Sequence, residues 1–157
     1  MVVFRIGHMN YATTLEASGM NSRWVSAGKR VIYAAESIAL AFLESMIRRQ
    51  GVGFNDDYRI VAIDIPDDLL ITVIKSEDLQ DGWREFRDYS ICQRIGDKWY
   101  GELKTPVMKV PSAVLNSSFN YVINTKHKSF KKIAIVEVSH LVPDERIEEI
   151  LKKYPLK

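Results

Sequence analysis

Four polar residues in distinctive local frames carry the chemistry open to this chain. They are Arg23 in Ser22-Arg23-Trp24, Tyr33 in Val31-Ile32-Tyr33-Ala34-Ala35, Glu44 inside an apolar helical stretch, and Ser112 in Val110-Pro111-Ser112-Ala113. A guanidinium is a permanent cation whose planar donor fork suits phosphate. A phenol brings a stacking face and a hydroxyl. A carboxylate stabilises positive charge that develops in a transition state. A serine hydroxyl can orient a group or accept a proton. Together these parts suit a nucleotide whose glycosidic bond is to be broken. Each also has a plainer reading. Glu44 and Arg48 are spaced for an exposed helical ion pair worth roughly 0.3–0.5 kcal/mol. Arg23 could stack on Trp24, Tyr33 could be core, and Ser112 could be a turn residue after Pro111.

The elements that must position these groups are legible in outline. Val2–Ile6, Val31–Ala34, Tyr58–Ile65, Leu70–Ile74, Val107–Val110 and Lys132–Val138 read as strands. Tyr58–Ile65 is apolar on both faces, which suits a central strand. Phe119–Asn124 is ambiguous. Glu36–Gln50 is the clearest helix, with Ala39, Leu43, Met46 and Ile47 predicted on the inward face, arginines at the C-terminal end and Gly51 as a stop. Asp81–Ile95 is predicted helical with Trp83, Phe86 and Ile91 inward and Gly96-Asp97 as a break. A short helix is predicted from Tyr11 to Ala17, and a terminal one from Asp144 to Tyr154, introduced by Pro143 with Asp144 as cap. Strands and helices mix without regular alternation, repeat or linker. The pattern predicts one α+β domain over residues 1–157, built on a mixed or antiparallel sheet.

Composition narrows the function. Lysine plus arginine total 22 against 20 acidic residues, a formal charge of +2. That is no basis for a general polyanion binder. The local run Lys126–Lys132 reads as a solvated surface. Cys92 is the single cysteine, and it and the three histidines lack metal-ligand spacing, so neither a disulfide nor a metal site is expected. Cys92 reads as a buried, inert thiol. No secretory signal is apparent, and the longest apolar helical stretch, Ile38–Leu43, falls far short of the ~20 residues that span a bilayer. A soluble cytoplasmic protein is expected. No G-x-G-x-x-G after a strand, no G-x-x-x-x-G-K-[ST] and no G-x-S-x-G is present, which argues against Rossmann, P-loop and hydrolase-elbow designs.

The pieces, taken in order, resemble the RES-domain toxin family. They are Phe4-Arg5-Ile6, Ser22-Arg23-Trp24, Gly28 to Tyr33-Ala34-Ala35-Glu36, Ala39-Leu40-Ala41 to Glu44, Gly96-Asp97-Lys98-Trp99, Val110-Pro111-Ser112-Ala113, and Asn120-Tyr121-Val122-Ile123-Asn124 with His127. The chain departs from the family pattern at two places. Asn21, Ser22 and Val25 stand where the family has two glycines before the Arg-Trp pair and an asparagine after it. Thr125 and Lys128 stand where an Asn-Pro-x-His-Pro stretch has its prolines.

The resemblance implies a fold like that of ADP-ribosyltransferases and an enzyme that consumes NAD+ as substrate, with no cofactor of its own. It implies Glu44 and Ser112 as catalytic residues and Arg23, Tyr33 and Asn120 as NAD+-binding residues. It also implies a toxin whose partner is an Xre-like helix-turn-helix antitoxin, with homodimers inside larger assemblies; the charge balance and the short apolar stretches lead us to expect neither membrane nor direct nucleic-acid binding. Cleavage of the nicotinamide–ribose bond develops oxocarbenium character on the ribose and releases a neutral leaving group. It therefore calls for a nearby carboxylate, a cation on the pyrophosphate and a ring that holds nicotinamide. Hydrolysis or phosphorolysis of NAD+ is the first expectation. Mono-ADP-ribosyl transfer to a protein is the alternative, and a non-enzymatic RNA-binding or interaction domain is a third.

Overall fold

Stretches rich in Val, Ile and aromatic residues form seven strands among the described residues. They are Val2–His8 (β1), Val31–Ala35 (β2), Tyr58–Asp64 (β3), Ile71–Val73 (β4), Val107–Pro111 (β5), Phe119–Asn124 (β6) and Ala134–His140 (β7). The computed structural model, which describes residues 1–50 and 52–153, joins them in one sheet of order β4-β5-β6-β2-β1-β3-β7. Every neighbouring pair is antiparallel except β4 and β5. Helices α1 (Ile38–Arg48), α2 (Ser90–Glu102) and α3 (Glu145–Lys153) complete the mixed α+β architecture.

The central position expected for β3 holds: it lies between β1 and β7, and Val61, Ala62 and Ile63 are all buried. Side chains alternate across the sheet, so Ile32 and Ala34 of β2 face one way and Val31, Tyr33 and Ala35 the other. The first set joins Val3, Val61, Ile63, Val107, Tyr121 and Ile123 in one core. On the other face, Val31 meets Trp24, Trp83, Cys92, Trp99, Met108 and Val122. Ala35 there meets Leu40 and Ala41 of α1, with Phe4 and Ile6 alongside. Tyr33 therefore stands on the face shared by both helix-bearing clusters.

Helix α1 starts two residues later than predicted. Ser37 is its cap, with Oγ accepting the Leu40 amide at 3.1 Å. Its inward face also differs from the prediction. Leu40 and Ala41 are buried, while Ala39 is exposed and Leu43 and Ile47 are 39% and 55% exposed. The face toward the sheet carries Leu40, Glu44 and Arg48 at four-residue spacing, because much of the space beneath α1 is a cavity rather than core. Gly51 lies outside the described residues.

Helix α2 spans Ser90–Glu102 rather than 81–95, so Gly96 and Asp97 sit in its middle. Trp83 is buried but lies in a turn, Phe86 is 70% exposed, and Ile91 packs against the second core. Gly96 is there for contact: a Cβ on it would lie 1.7 Å from the Trp24 carbonyl oxygen. The helix ends at Leu103, which adopts the left-handed conformation. The helix expected at 11–17 is absent; a 3-10 turn covers Met9–Tyr11 instead. The Arg5 guanidinium takes the carbonyls of Tyr11 and Thr14 at 2.8 and 2.9 Å, which a helix there would need for its own amides. Phe119–Asn124 resolves as strand. Strand β7 begins after a 3-10 turn, Lys128–Lys132, which takes up the start of the predicted strand and much of the basic run. Asp144 accepts the Arg146 amide at the start of α3, as its predicted capping role requires. Tyr154 lies outside the described residues. Among them, no helix is long and apolar enough to cross a membrane.

Candidate active site

Three of the residues singled out in the sequence meet at one carboxylate. Glu44 Oε1 accepts from Ser112 Oγ at 2.7 Å and from Asn120 Nδ2 at 2.5 Å. Glu44 comes from α1, Ser112 from the residue after β5, and Asn120 from β6, where it pairs in register with Ala35 and Val110. Neutral donors on an ionised oxygen make strong hydrogen bonds and fix the side chain's direction. Oε2 takes no hydrogen bond from any described residue. Glu44 also lines a cavity of about 520 Å³. One oxygen is thus pinned and the other is available to whatever occupies the space.

Ser112 proves to be a turn residue and a partner of Glu44 at once. Its side chain is fully buried. Oγ accepts the amides of Val114 and Leu115 at 3.1 and 3.0 Å, and its own proton goes to Glu44. Its hydrogen-bonding capacity is filled by the protein, with Glu44 as the acceptor of its one proton.

Tyr33 lines the same cavity. Its hydroxyl lies 2.6 Å from Ser22 Oγ, so the residue that replaces a family glycine ties the irregular 22–25 segment to the sheet. Burial pushes the Tyr33 phenol up to about 12, with the Ser22 hydrogen bond opposing. Asn21 and Val25 are also built in: Asn21 Oδ1 accepts from Gln93 Nε2 at 2.8 Å, and Val25 is fully buried.

Arg23 is placed elsewhere. It does not line the cavity. Its Nη1 donates to the carbonyls of Trp83 and Glu85 at 2.7 and 3.1 Å, its Nη2 donates to that of Arg84 at 3.3 Å, and its guanidinium stacks over Tyr89 rather than Trp24. The expected direct contact with pyrophosphate is therefore not available from this conformation. The cations that line the cavity are Arg5 and Arg48, which the sequence reading did not single out. Arg5 could have been found, because a charge inside an otherwise apolar strand pattern needs a reason. Its Nε is the one buried side-chain nitrogen or oxygen without a hydrogen bond among the described residues. Burial holds its pKa below the usual guanidinium value, with Glu16 opposing. Arg48 and Glu44 both line the cavity, and no ion pair joins them among the described residues. His8, Tyr11 and Glu16 line its remaining wall.

The segment bearing Arg23 is fastened to α2. Gln93 Nε2 donates to the Ser22 carbonyl at 2.7 Å. Asp97 accepts from the Ser26 amide and hydroxyl at 2.9 and 2.7 Å and pairs with Lys29 at 3.3 Å. Burial works to raise the Asp97 carboxyl, but the Ser26 and Lys29 contacts outweigh it and hold its pKa below the usual range. Thr125 and His127 have structural partners as well. Thr125 Oγ1 donates to the Arg30 carbonyl, and buried His127 accepts the Ser129 amide through Nδ1. Cys92 is buried with its thiol on the Trp83 carbonyl, and burial pushes its pKa up, as befits an inert thiol. Among the described residues, no group of three or more His, Cys, Asp or Glu is placed to hold a metal ion.

The fold and the sequence both have relatives. The chain is 28% identical over 151 residues to a Pseudomonas putida protein named Toxin Res, covering 94% of this chain and 99% of that one. It is 29% identical over 127 residues to the Prs ADP-ribosylating toxin of a Sphingobium species, covering 80% and 79%. A chain from the crystal structure of the M. tuberculosis MbcT–MbcA toxin–antitoxin complex superposes with a TM-score of 0.74, over 98% of this chain and 89% of that one. At 18% identity this likeness speaks for the fold. The RES domain family model matches residues 2–147. The chain belongs to the RES-domain family.

Proposed function

We propose that this chain is the toxin of a bacterial toxin–antitoxin pair, and that it acts in the cytoplasm by breaking the nicotinamide–ribose bond of NAD+. The observation that carries the reading is Glu44, with one oxygen pinned by Ser112 and Asn120 and the other left to a cavity lined by Tyr33, Arg5 and Arg48. Bond cleavage sends the electron pair to the pyridinium nitrogen, which becomes neutral. Positive charge passes to the ribose C1 and its ring oxygen. A fixed carboxylate beside that centre stabilises the transition state more than the ground state. The Tyr33 ring offers a face for nicotinamide, and Arg5 and Arg48 offer charge for the pyrophosphate. Water at C1 then yields ADP-ribose and a proton; phosphate yields ADP-ribose 1″-phosphate.

Membership of the RES family, relatives named as toxins and a structural neighbour solved in a toxin–antitoxin complex support the toxin assignment. An Xre-like antitoxin is the partner we propose. The name of the Sphingobium relative favours a second reading, in which a protein side chain takes the place of water and receives the ADP-ribosyl group.

The test is product analysis with purified protein and NAD+, with and without phosphate. Wild type should release nicotinamide, and the co-product identifies the acceptor. Glu44→Gln keeps size and helix propensity and should lose on the order of 100-fold or more in rate at an unchanged melting temperature. A folded Glu44→Gln variant with near-normal turnover would reject the proposal.

A further inference from the structure

We propose that Arg84 is a positioning residue for Ser112 and that Arg23 acts through it; the inference rests on the reading of Glu44 given above. The exposed Arg84 side chain reaches across to a single acceptor. Its Nε and Nη2 donate at 3.1 and 2.9 Å to the same oxygen, the carbonyl of Ala113. That carbonyl belongs to the turn whose next two amides, Val114 and Leu115, donate to Ser112 Oγ. With both amides on its oxygen, the hydroxyl has its proton left for Glu44, and the stand of the turn sets where that proton points. Clamping the Ala113 carbonyl therefore aims the hydrogen bond that fixes Glu44.

The other end of Arg84 is held as well. Its own carbonyl and those of Trp83 and Glu85 converge on the Arg23 guanidinium, which also lies over the Tyr89 ring. Three converging carbonyl oxygens repel one another unless a cation with several donors sits among them, and a planar guanidinium reaches them from two separate nitrogens in a rigid fork, where an ammonium offers all its donors from one point. The order of contact is Arg23, the 83–85 turn, Arg84, Ala113, Ser112, Glu44. Arg23 lies outside the cavity, yet this path connects it to the reacting centre.

The experiment uses the full chain, with amide hydrogen exchange and steady-state NAD+ consumption measured on Arg84→Ala, Arg84→Lys, Ser112→Ala and the Arg84→Ala/Ser112→Ala pair. Arg84→Ala should melt like wild type and speed exchange at Val114 and Leu115 by about tenfold. It should lower kcat by about tenfold with KM within about twofold, the signature of a lost transition-state interaction. Arg84→Lys, with one-point donation, should recover part of the rate. In the Ser112→Ala background Arg84→Ala should cost nothing further, since residues that act as a unit are not additive. Unchanged exchange at Val114 and Leu115, an unchanged kcat, or a full multiplicative loss in the double variant would each overturn the proposal. A wild type that consumes no NAD+ at all would sink the proposed function instead. In that case the exchange rates alone decide whether Arg84 holds the turn.

Discussion

Glu44 projects from an 11-residue helix and is fixed by side chains from the strand side of the molecule. Arg23 sits on a segment without helix or strand and is fixed by a turn 60 residues further along. The first arrangement draws on the main-chain ladders of β5 and β6, which pair over five residues in register. The second draws on α2, through Gln93, Gly96 and Asp97, and on carbonyls gathered by one cation. A site assembled this way has a rigid half that presents the carboxylate and a propped half whose geometry depends on a few side chains. Loops set by such props are the parts of a fold most readily displaced.

The comparison is broken most directly at Gly96. An alanine there would drive its Cβ to 1.7 Å from the Trp24 carbonyl oxygen and 2.8 Å from its carbon, both backbone atoms that cannot swing aside. Gly96→Ala should cost about 3 kcal/mol or more, read as a lowered thermal or urea midpoint. The surviving folded population should show altered amide signals in 21–26 and unaltered ones in β5 and β6. A wild-type midpoint would mean that α2 does not prop the loop.

Tyr33 joins the halves, and its ionisation offers the next test. The folded state holds the phenolic proton more tightly than the ordinary value of 10.0, up to about 12, because burial disfavours the phenolate. The sign follows from linkage: this contribution to stability is complete below pH 10 and is lost as pH rises toward 12, up to roughly 3 kcal/mol. Urea titrations across that interval should show a steeper alkaline fall for wild type than for Tyr33→Phe. Parallel curves would place Tyr33 in a wetter setting than the one described.

The smallest effect is expected at Ser22. Ser22→Ala removes one neutral hydrogen bond to Tyr33 and one to the Val25 carbonyl, and should cost about 1 kcal/mol in thermal stability. If the variant melts unchanged, the rigid and propped halves are held independently of that link.

The strands were largely legible from sequence because their apolar residues cluster at period two or in short continuous runs, as in Tyr58–Asp64. The two main misreadings have one cause each. On α1, the apolar residues at 39, 43 and 47 suggested the buried face, but the fold spends the inward flank on Glu44 and Arg48 around a cavity. A hydrophobicity pattern cannot report a helix whose inner side is partly empty space. On α2, Gly96 read as a break because glycine weakens helices, yet it serves a close approach to a carbonyl 72 residues earlier in the chain. In the site, Glu44, Ser112 and Asn120 were named as separate motif pieces, and their meeting at one carboxylate oxygen became visible only in the fold. The displacement of Arg23 from the cavity was invisible, since its acceptors are backbone carbonyls, which every residue possesses.

The two hydrogen bonds on Glu44 span 68 and 76 residues of chain. Contacts of that separation form late, after the intervening loops have been closed at an entropic cost. During synthesis the carboxylate is made first, but its donors follow only with residues 112 and 120. The nascent chain therefore passes through most of its length with Glu44 unaimed, and the centre assembles only once β6 has emerged and added itself beside β2.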